Sequence, residues 1–257
     1  MALFTEENIE QIRGELKRCI PQLSINCVIF KFDGEVLQIP VVQPVNANIW
    51  SIPGGFVYQN EGINEAAKRI LLEQTQIDDL ILSQFGTFGS AEREFAKEIS
   101  NYTELGFSKD IVDWLSQRFV TIGYYSVVGP KKNGLKANFF FKEVKWINIE
   151  EANKLALDHS VLVSEAVQTL RAELQSRPLL SSFMPETFTL PELQKLYEAI
   201  LGRPVDRGNF RQRMLKSKIL NKIGPTKEKT KNRPPILYKL DEKVYLDSLT
   251  HDIKYGF

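Results

Sequence analysis

The chain has 257 residues, of which 43% are hydrophobic and 25% charged, with a formal net charge of +1. This is the composition of ordinary folded domains, one large or two modest, and it excludes a disordered or collagen-like chain. Two cysteines, Cys19 and Cys27, cannot build a disulfide framework and are expected to be reduced and structural, as in a cytoplasmic protein.

The first residues, MALFTEENIEQIRGELKRCI, are amphipathic and carry acids, so 1–21 reads as a helix and not a secretion signal. No apolar run reaches the length of a membrane span, and no membrane partner is expected. SINCVIFKF at 24–32 is rich in β-branched and aromatic residues and reads as a strand, turned by DGE into a second at 36–43. A glycine-rich loop then enters a helix from Asn64 to Gln76, with Ala67, Leu71 and Leu72 as its apolar positions. Strands are expected at 80–88, 119–128 and 143–149, and a long helix at 160–176. Strands and helices mixed without regular alternation give an α+β fold.

The segment 89–117 is too long for a simple connection. It reads as a lid over a pocket, a subunit contact or a surface insertion, and its second half, SKDIVDWLSQ, as a helix capped by Ser108. SRPLLSSFMPE at 176–186 carries two prolines and three serines and reads as a linker. The expected organisation is therefore an N-terminal helix at 1–21, a first domain at 22–177, a linker at 178–187 and a second domain at 188–257.

The near-zero charge hides an asymmetry. Between Arg203 and Lys243 lie thirteen bases and four acids. The remainder of the chain is accordingly acidic, and a polyanion is the natural partner of the basic part. A helix starting after Thr189 and ending at Gly202 buries Leu193, Leu196, Tyr197, Ile200 and Leu201. Asp206 caps a second helix whose apolar stripe is Phe210, Met214 and Leu215. Two short strands follow, joined by a basic loop, with Ile236, Tyr238 and Leu240 alternating. Helix, turn, helix and basic hairpin is the order of a winged helix-turn-helix, whose second helix enters the DNA major groove. Asn209, Gln212, Arg213 and Lys216 share one face of that helix and suit base edges. Arg211, with Lys229 and Lys231 of the loop, suits phosphates, and Arg207 and Arg233 are further candidate DNA contacts. A basic surface with no nucleic-acid role is the bland alternative.

The stretch GGFVYQNEGINEAAKRILLEQTQI, Gly54 to Ile77, resembles the Nudix box. Gly55, Glu61, Arg69, Leu71, Glu73 and Ile77 stand where the family pattern requires them. Ile70 and Gln74 replace glutamates, and Gln76 replaces a glycine. Positions 70, 73 and 74 meet on one helical face, where carboxylates in the family hold divalent cations that activate water. With an isoleucine and a neutral amide there, no metal, cofactor or catalytic residue is expected, and hydrolysis should be impaired.

The box followed by FTLPELQKLYEAILGRPVDRGNFRQRML, Phe188 to Leu215, resembles the Nudix-related transcriptional regulators of the NrtR and AraR type. That resemblance implies a Nudix-like α/β/α sandwich followed by a winged helix-turn-helix. It also implies a ligand-responsive, DNA-binding regulator, a homodimer on a double-stranded operator. Its small-molecule effector would be a sugar or nucleotide-sugar-like metabolite. Arg69, Glu73, Arg93 and Arg118 are the candidate effector contacts, with Arg69 alternatively a structural ion-pair partner. An active pyrophosphohydrolase with a variant metal site is the rival reading, and an interaction adaptor with a basic tail the third.

Overall fold

The computed structural model describes residues 5–45, 48–91, 107–130, 134–137, 141–174, 179–226 and 234–250. Arg93, Lys229, Lys231 and Arg233 lie outside them. By internal contact the chain forms two compact units. One comprises Met1–Ile29, Ile39–Ser126 and Gly134–Ala166, and the other Phe30–Gln38, Val127–Asn133 and Val167–Phe257.

Helix α1 (Glu6–Arg18) begins at Thr5. The Thr5 hydroxyl accepts from the Asn8 N–H, and the Asn8 side chain accepts from the Thr5 N–H, both at 3.2 Å. Two otherwise orphaned donors are thereby satisfied. Strand β1 (Cys19–Phe32) follows directly and is buried at every position from Ile25 to Phe32. Burial on both faces identifies it as a central strand. The Asp33 carboxylate accepts from Glu35 N–H and Val36 N–H, each at 2.9 Å, closing the turn into β2 (Leu37–Pro44).

Strand β3 (Gly54–Tyr58) pairs antiparallel with the start of β1, setting Gly54 opposite Asn26 and Phe56 opposite Ser24. Helix α2 (Ile63–Thr75), β4 (Ser83–Phe88), α3 (Lys109–Leu115), β5 (Val120–Val128), β6 (Phe141–Asn148) and α4 (His159–Glu173) complete the series. The sheet order is β4-β5-β1-β2-β6, with β3 joined to β1. Helix α2 buries Ala66, Ala67, Ile70, Leu71, Gln74 and Thr75. Leu72, expected on the apolar face, is 44% exposed. The buried stripe follows the three-and-four spacing, and Leu72 stands beside it.

In the second unit a short helix, α5 (Leu179–Phe183), occupies part of the segment expected to be linker, because Leu179, Leu180 and Phe183 are buried. Strand β7 (Phe188–Thr189) leads into α6 (Leu190–Leu201), where Thr189 and Glu192 form a capping box and proline stands in the first turn. Gly202 ends the helix at φ +68°, the left-handed conformation that favours glycine, and a Cβ there would push the Arg171 guanidinium aside. Glu198 accepts from Val205 N–H at 2.9 Å, and Gln194 donates to Val205 O at 3.0 Å, which fixes the turn.

Helix α7 (Arg207–Lys216) starts at Asp206, whose carboxylate accepts from Asn209 N–H at 2.8 Å. Its Phe210 ring meets Tyr197 edge-on at a centroid distance of 5.3 Å. Phe210 and Met214 are buried, but Leu215 is 42% exposed. Five positions from Phe210 is about 140° around the helix, off the buried stripe. Strands β8 (Leu220–Pro225) and β9 (Ile236–Leu240) pair antiparallel, β7 adds to β9, and α8 (Glu242–Thr250) follows. Two helices against a three-stranded sheet form a winged helix.

Candidate functional site

Helix α2 presents the face on which the Nudix box places its carboxylates, and here that face is closed. Ile70 is 1% exposed and packs on Gly55, where an added Cβ would come within 3.1 Å of Ile70 Cγ1. Gln74 Nε2 donates to the Gly54 carbonyl at 2.6 Å while its Oε1 accepts from the Gly54 N–H at 3.1 Å. The amide supplies both a donor and an acceptor, whereas an ionised glutamate is an acceptor only and could not make this pair. Gly54 has no room for a side chain, since a Cβ would stand 2.2 Å from Asn26 Nδ2. Among the described residues no group of three His, Cys, Asp or Glu side chains is arranged to hold a metal. Gln76 adopts the left-handed φ of 59° that ends α2, the conformation for which the family pattern supplies glycine.

Arg69 lies at the centre of an ion-pair network. Its Nε donates to Glu61 Oε2 at 2.9 Å, Nη2 to Glu61 Oε1 at 2.6 Å and to the Phe56 carbonyl at 2.8 Å, and Nη1 to Glu73 at 3.2 Å. The Tyr58 ring lies 3.9 Å from its guanidinium carbon. Burial opposes the Arg69 charge, but the Glu61 hydrogen bond and the neighbouring Tyr58 and Glu73 outweigh it and raise the pKa. The same guanidinium holds Glu61 below the usual carboxylate range, with the Tyr58 N–H adding a 2.8 Å bond. The Tyr58 hydroxyl is pushed up to about 12 by burial and by its bond to Glu15.

Beside this network opens a cavity of about 850 Å³, reached by Arg18, Tyr58, Arg69, Glu73 and Gln74 and walled on one side by α1 through Ile12, Glu15 and Leu16. Several contacts fasten the wall. Tyr58 Oη donates to Glu15 at 2.7 Å, the Arg18 guanidinium lies 4.5 Å from the Tyr58 ring, and Arg13 Nε donates to Asp110 at 2.8 Å. The half-buried Arg13 pairs closely enough to hold the exposed Asp110 well below the usual carboxylate range. A second cavity of about 240 Å³ shares Gly54, Gly55, Phe56 and Gln74 and is more apolar. Phe56 stands edge-on to Trp114 at 4.7 Å and 5.3 Å from Phe119 there. His159, at the start of α4, accepts from Ile52 N–H at 3.3 Å through Nδ1. A cavity with aromatic walls and a few placed polar groups is the ordinary form of a small-molecule site.

The structure therefore brings Arg69 and Glu73 together at a cavity, with Arg69 already held by Glu61. Arg118 is exposed ahead of β5 and lines neither cavity. Of the long segment at 89–117, Phe107 and Leu115 line the larger cavity. Arg18, Tyr58 and His159 were not singled out in the sequence, because they arrive from α1, β3 and α4 by tertiary packing. Cys19 and Cys27 are buried and unpaired with each other, and burial pushes their thiols up to about 11 and about 12.

On α7, Arg207, Asn209, Arg211, Gln212, Arg213 and Lys216 are all exposed, while Phe210 and Met214 anchor the helix from the opposite side. An exposed helix of guanidinium and amide side chains has the donors and acceptors that base edges and phosphates require.

A sensor-like cavity domain joined to a winged helix defines the class, a ligand-binding domain coupled to a DNA-binding one. The NUDIX domain matches residues 20–166, and the NrtR DNA-binding winged helix domain matches residues 181–240. The chain is 32% identical over 232 residues to the ADPR responsive transcriptional repressor NtrR of Acinetobacter baylyi, covering 88% of this chain and 84% of that protein. It resembles the crystal structure of Shewanella oneidensis NrtR complexed with a 27mer DNA, with a TM-score of 0.62 and 25% identity, covering 87% of this chain and 95% of that one. A MutT/nudix family protein from Enterococcus faecalis shares the fold at a TM-score of 0.60 and 19% identity, over 90% of this chain and 93% of that one. The chain belongs to the Nudix family, in its branch of transcriptional regulators that carry an NrtR winged helix. It is a DNA-binding regulator with a Nudix effector domain. Among the described residues no helix is long and apolar enough to cross a membrane.

Proposed function

We propose that this protein is a cytoplasmic, ADP-ribose-responsive repressor that binds its effector without hydrolysing it. Residues 22–177, with helix α1 walling the cavity, sense the effector, 188–257 bind a double-stranded operator, and the protein acts as a homodimer on a two-fold symmetric site. The observation that carries the reading is the closed α2 face beside the open cavity. Ile70 packed on Gly55 and Gln74 bonded to Gly54 leave Glu73 as the exposed carboxylate of that face. A pyrophosphate-activating metal cluster needs several oxygen ligands converging there. The cavity keeps aromatic walls and the Arg18 and Arg69 cations, which suit a diphosphate joined to a base and a sugar. The effector weakens DNA binding to the extent that it favours the protein arrangement that does not fit DNA.

The test is calorimetric titration with ADP-ribose, with and without magnesium, followed by displacement from an operator selected from genomic fragments. Binding that needs no metal, leaves ADP-ribose intact and releases DNA is the expected result. Magnesium-dependent turnover near the ordinary enzyme median of about 10 per second would overturn it in favour of a hydrolase.

A further inference from the structure

The second unit contains a cleft of about 400 Å³ where α6, α7 and the wing strands meet. Arg207 and Arg211, one turn apart on α7, reach it from one side, and Lys222 of β8 reaches it from the other. Among the described residues no carboxylate lines it and none of the three cations forms a salt bridge. Pro191, Pro234 and Pro235 also line it, and proline brings no backbone donor. The side-chain cations therefore dominate its polarity. Leu190 and Pro191, the first residues of α6, bring the positive end of a twelve-residue helix to the same cleft. The buried Phe210 fixes the position of its neighbour Arg211.

We infer that this cleft takes one phosphodiester of the DNA backbone, clamped by Arg207, Arg211 and Lys222. The inference rests on the proposed DNA-binding reading and adds to it a specific anchor that sets the register of α7. The anion is tetrahedral and diffuse, and donors approaching from two elements surround it where one helix alone could not. Lys222, absent from any sequence pattern of base readers, becomes a positioning residue for recognition by Asn209, Gln212 and Arg213. A clamp of this kind contributes to every duplex alike and carries no sequence information.

The experiment uses the full chain and measures affinity by anisotropy across a salt series, on its selected operator and on a random duplex of equal length. Arg211→Ala with Lys222→Ala lowers the slope of log affinity against log salt by about 0.9, one phosphate's worth, on both duplexes. Arg211→Lys with Lys222 intact keeps the wild-type slope. Lys154→Ala, an exposed lysine of the other unit, leaves it unchanged. Scanning single neutral methylphosphonates along the operator finds one position that weakens the wild type and has no effect on the double variant. Thermal unfolding of each variant at the wild-type temperature establishes that the fold is kept, since all three cations are on the surface. An unchanged salt slope in a folded double variant overturns the inference. So does calorimetric binding of inorganic pyrophosphate that the double variant loses while its DNA slope stays intact, which would make the cleft a small-anion site. A wild type that binds no duplex in a salt-dependent way overturns the proposed function itself.

Discussion

Replacing Gln74 by glutamate restores the residue of the Nudix pattern and removes a structural bond. The amide now donates to Gly54 O at 2.6 Å and accepts from Gly54 N–H at 3.1 Å, with Gln74 only 8% exposed. A carboxylate keeps the acceptor role and sets a second oxygen against the Gly54 carbonyl. Leaving a buried acceptor without its donor costs about 1–3 kcal/mol. The retained bond becomes charge-assisted and offsets part of this, so a net loss of about 2 kcal/mol is expected. For a protein of this size that lowers Tm by about 4–8 °C. The pH dependence is the sharper signature. Once protonated, the introduced carboxyl can donate to Gly54 O again, so folding favours the protonated form and raises its pKa. Its contribution is present below the unfolded value of about 4.3 and is lost as pH rises through the folded value. Scanning calorimetry of Gln74→Glu beside the wild type should show a small deficit in mild acid that grows to its full size at neutral pH. A deficit independent of pH, or none at neutral pH, would refute the donor-and-acceptor account of Gln74.

Ile70→Glu combined with Gln74→Glu places carboxylates at three positions of one α2 face; the double variant should be destabilised without metal and gain thermal stability from magnesium, while the wild type is indifferent, as read by dye-monitored melting. Glu61, held low by Arg69, contributes stability that is present above its ordinary 4.5 and lost as pH falls through its depressed folded value; the urea midpoint of the wild type should approach that of Glu61→Gln over that acid range. Arg213→Ala should cost about 1–3 kcal/mol on the operator and relax preference at one base pair; an equal loss on random duplexes would reassign it to the backbone. Phe210→Ala removes a ring packed on Tyr197 at 5.3 Å and should cost about 3–5 kcal/mol, melting the winged helix without altering the Nudix unit's response to its effector.

Local periodicity made much of the fold legible. The β-branched run ending at Phe32 is a buried strand, and the capped pair α6 and α7 begins at Thr189 and Asp206 as their side chains predict. Legibility failed where a neighbour decides the outcome. Leu215 and Leu72 are apolar but lie beside their helices' buried stripes, and adjacency in sequence conceals that angular offset. The prolines and serines around 176–186 suggested a linker, yet Leu179, Leu180 and Phe183 are spaced to bury one side of a short helix. The replaced carboxylates were visible as substitutions. That Gln74 would grip Gly54 depended on β3 passing alongside α2, which no local pattern encodes. Arg18 and Lys222 are ordinary surface bases in the sequence and acquire meaning only from the cavities they line.

Helix α1 contributes Ile12, Glu15 and Leu16 to the larger cavity, and it ends before residue 20, where the match to the Nudix domain begins. One wall of this cavity is thus supplied by chain outside the span that matches the domain. Helix α1 itself has no buried residue. Selection can rewrite such a wall, changing which metabolite fits, without disturbing the central strands or the closed α2 face. Under the proposed reading, changes confined to this first helix alter which metabolite the regulator answers while the box-bearing helix and the winged helix stay intact.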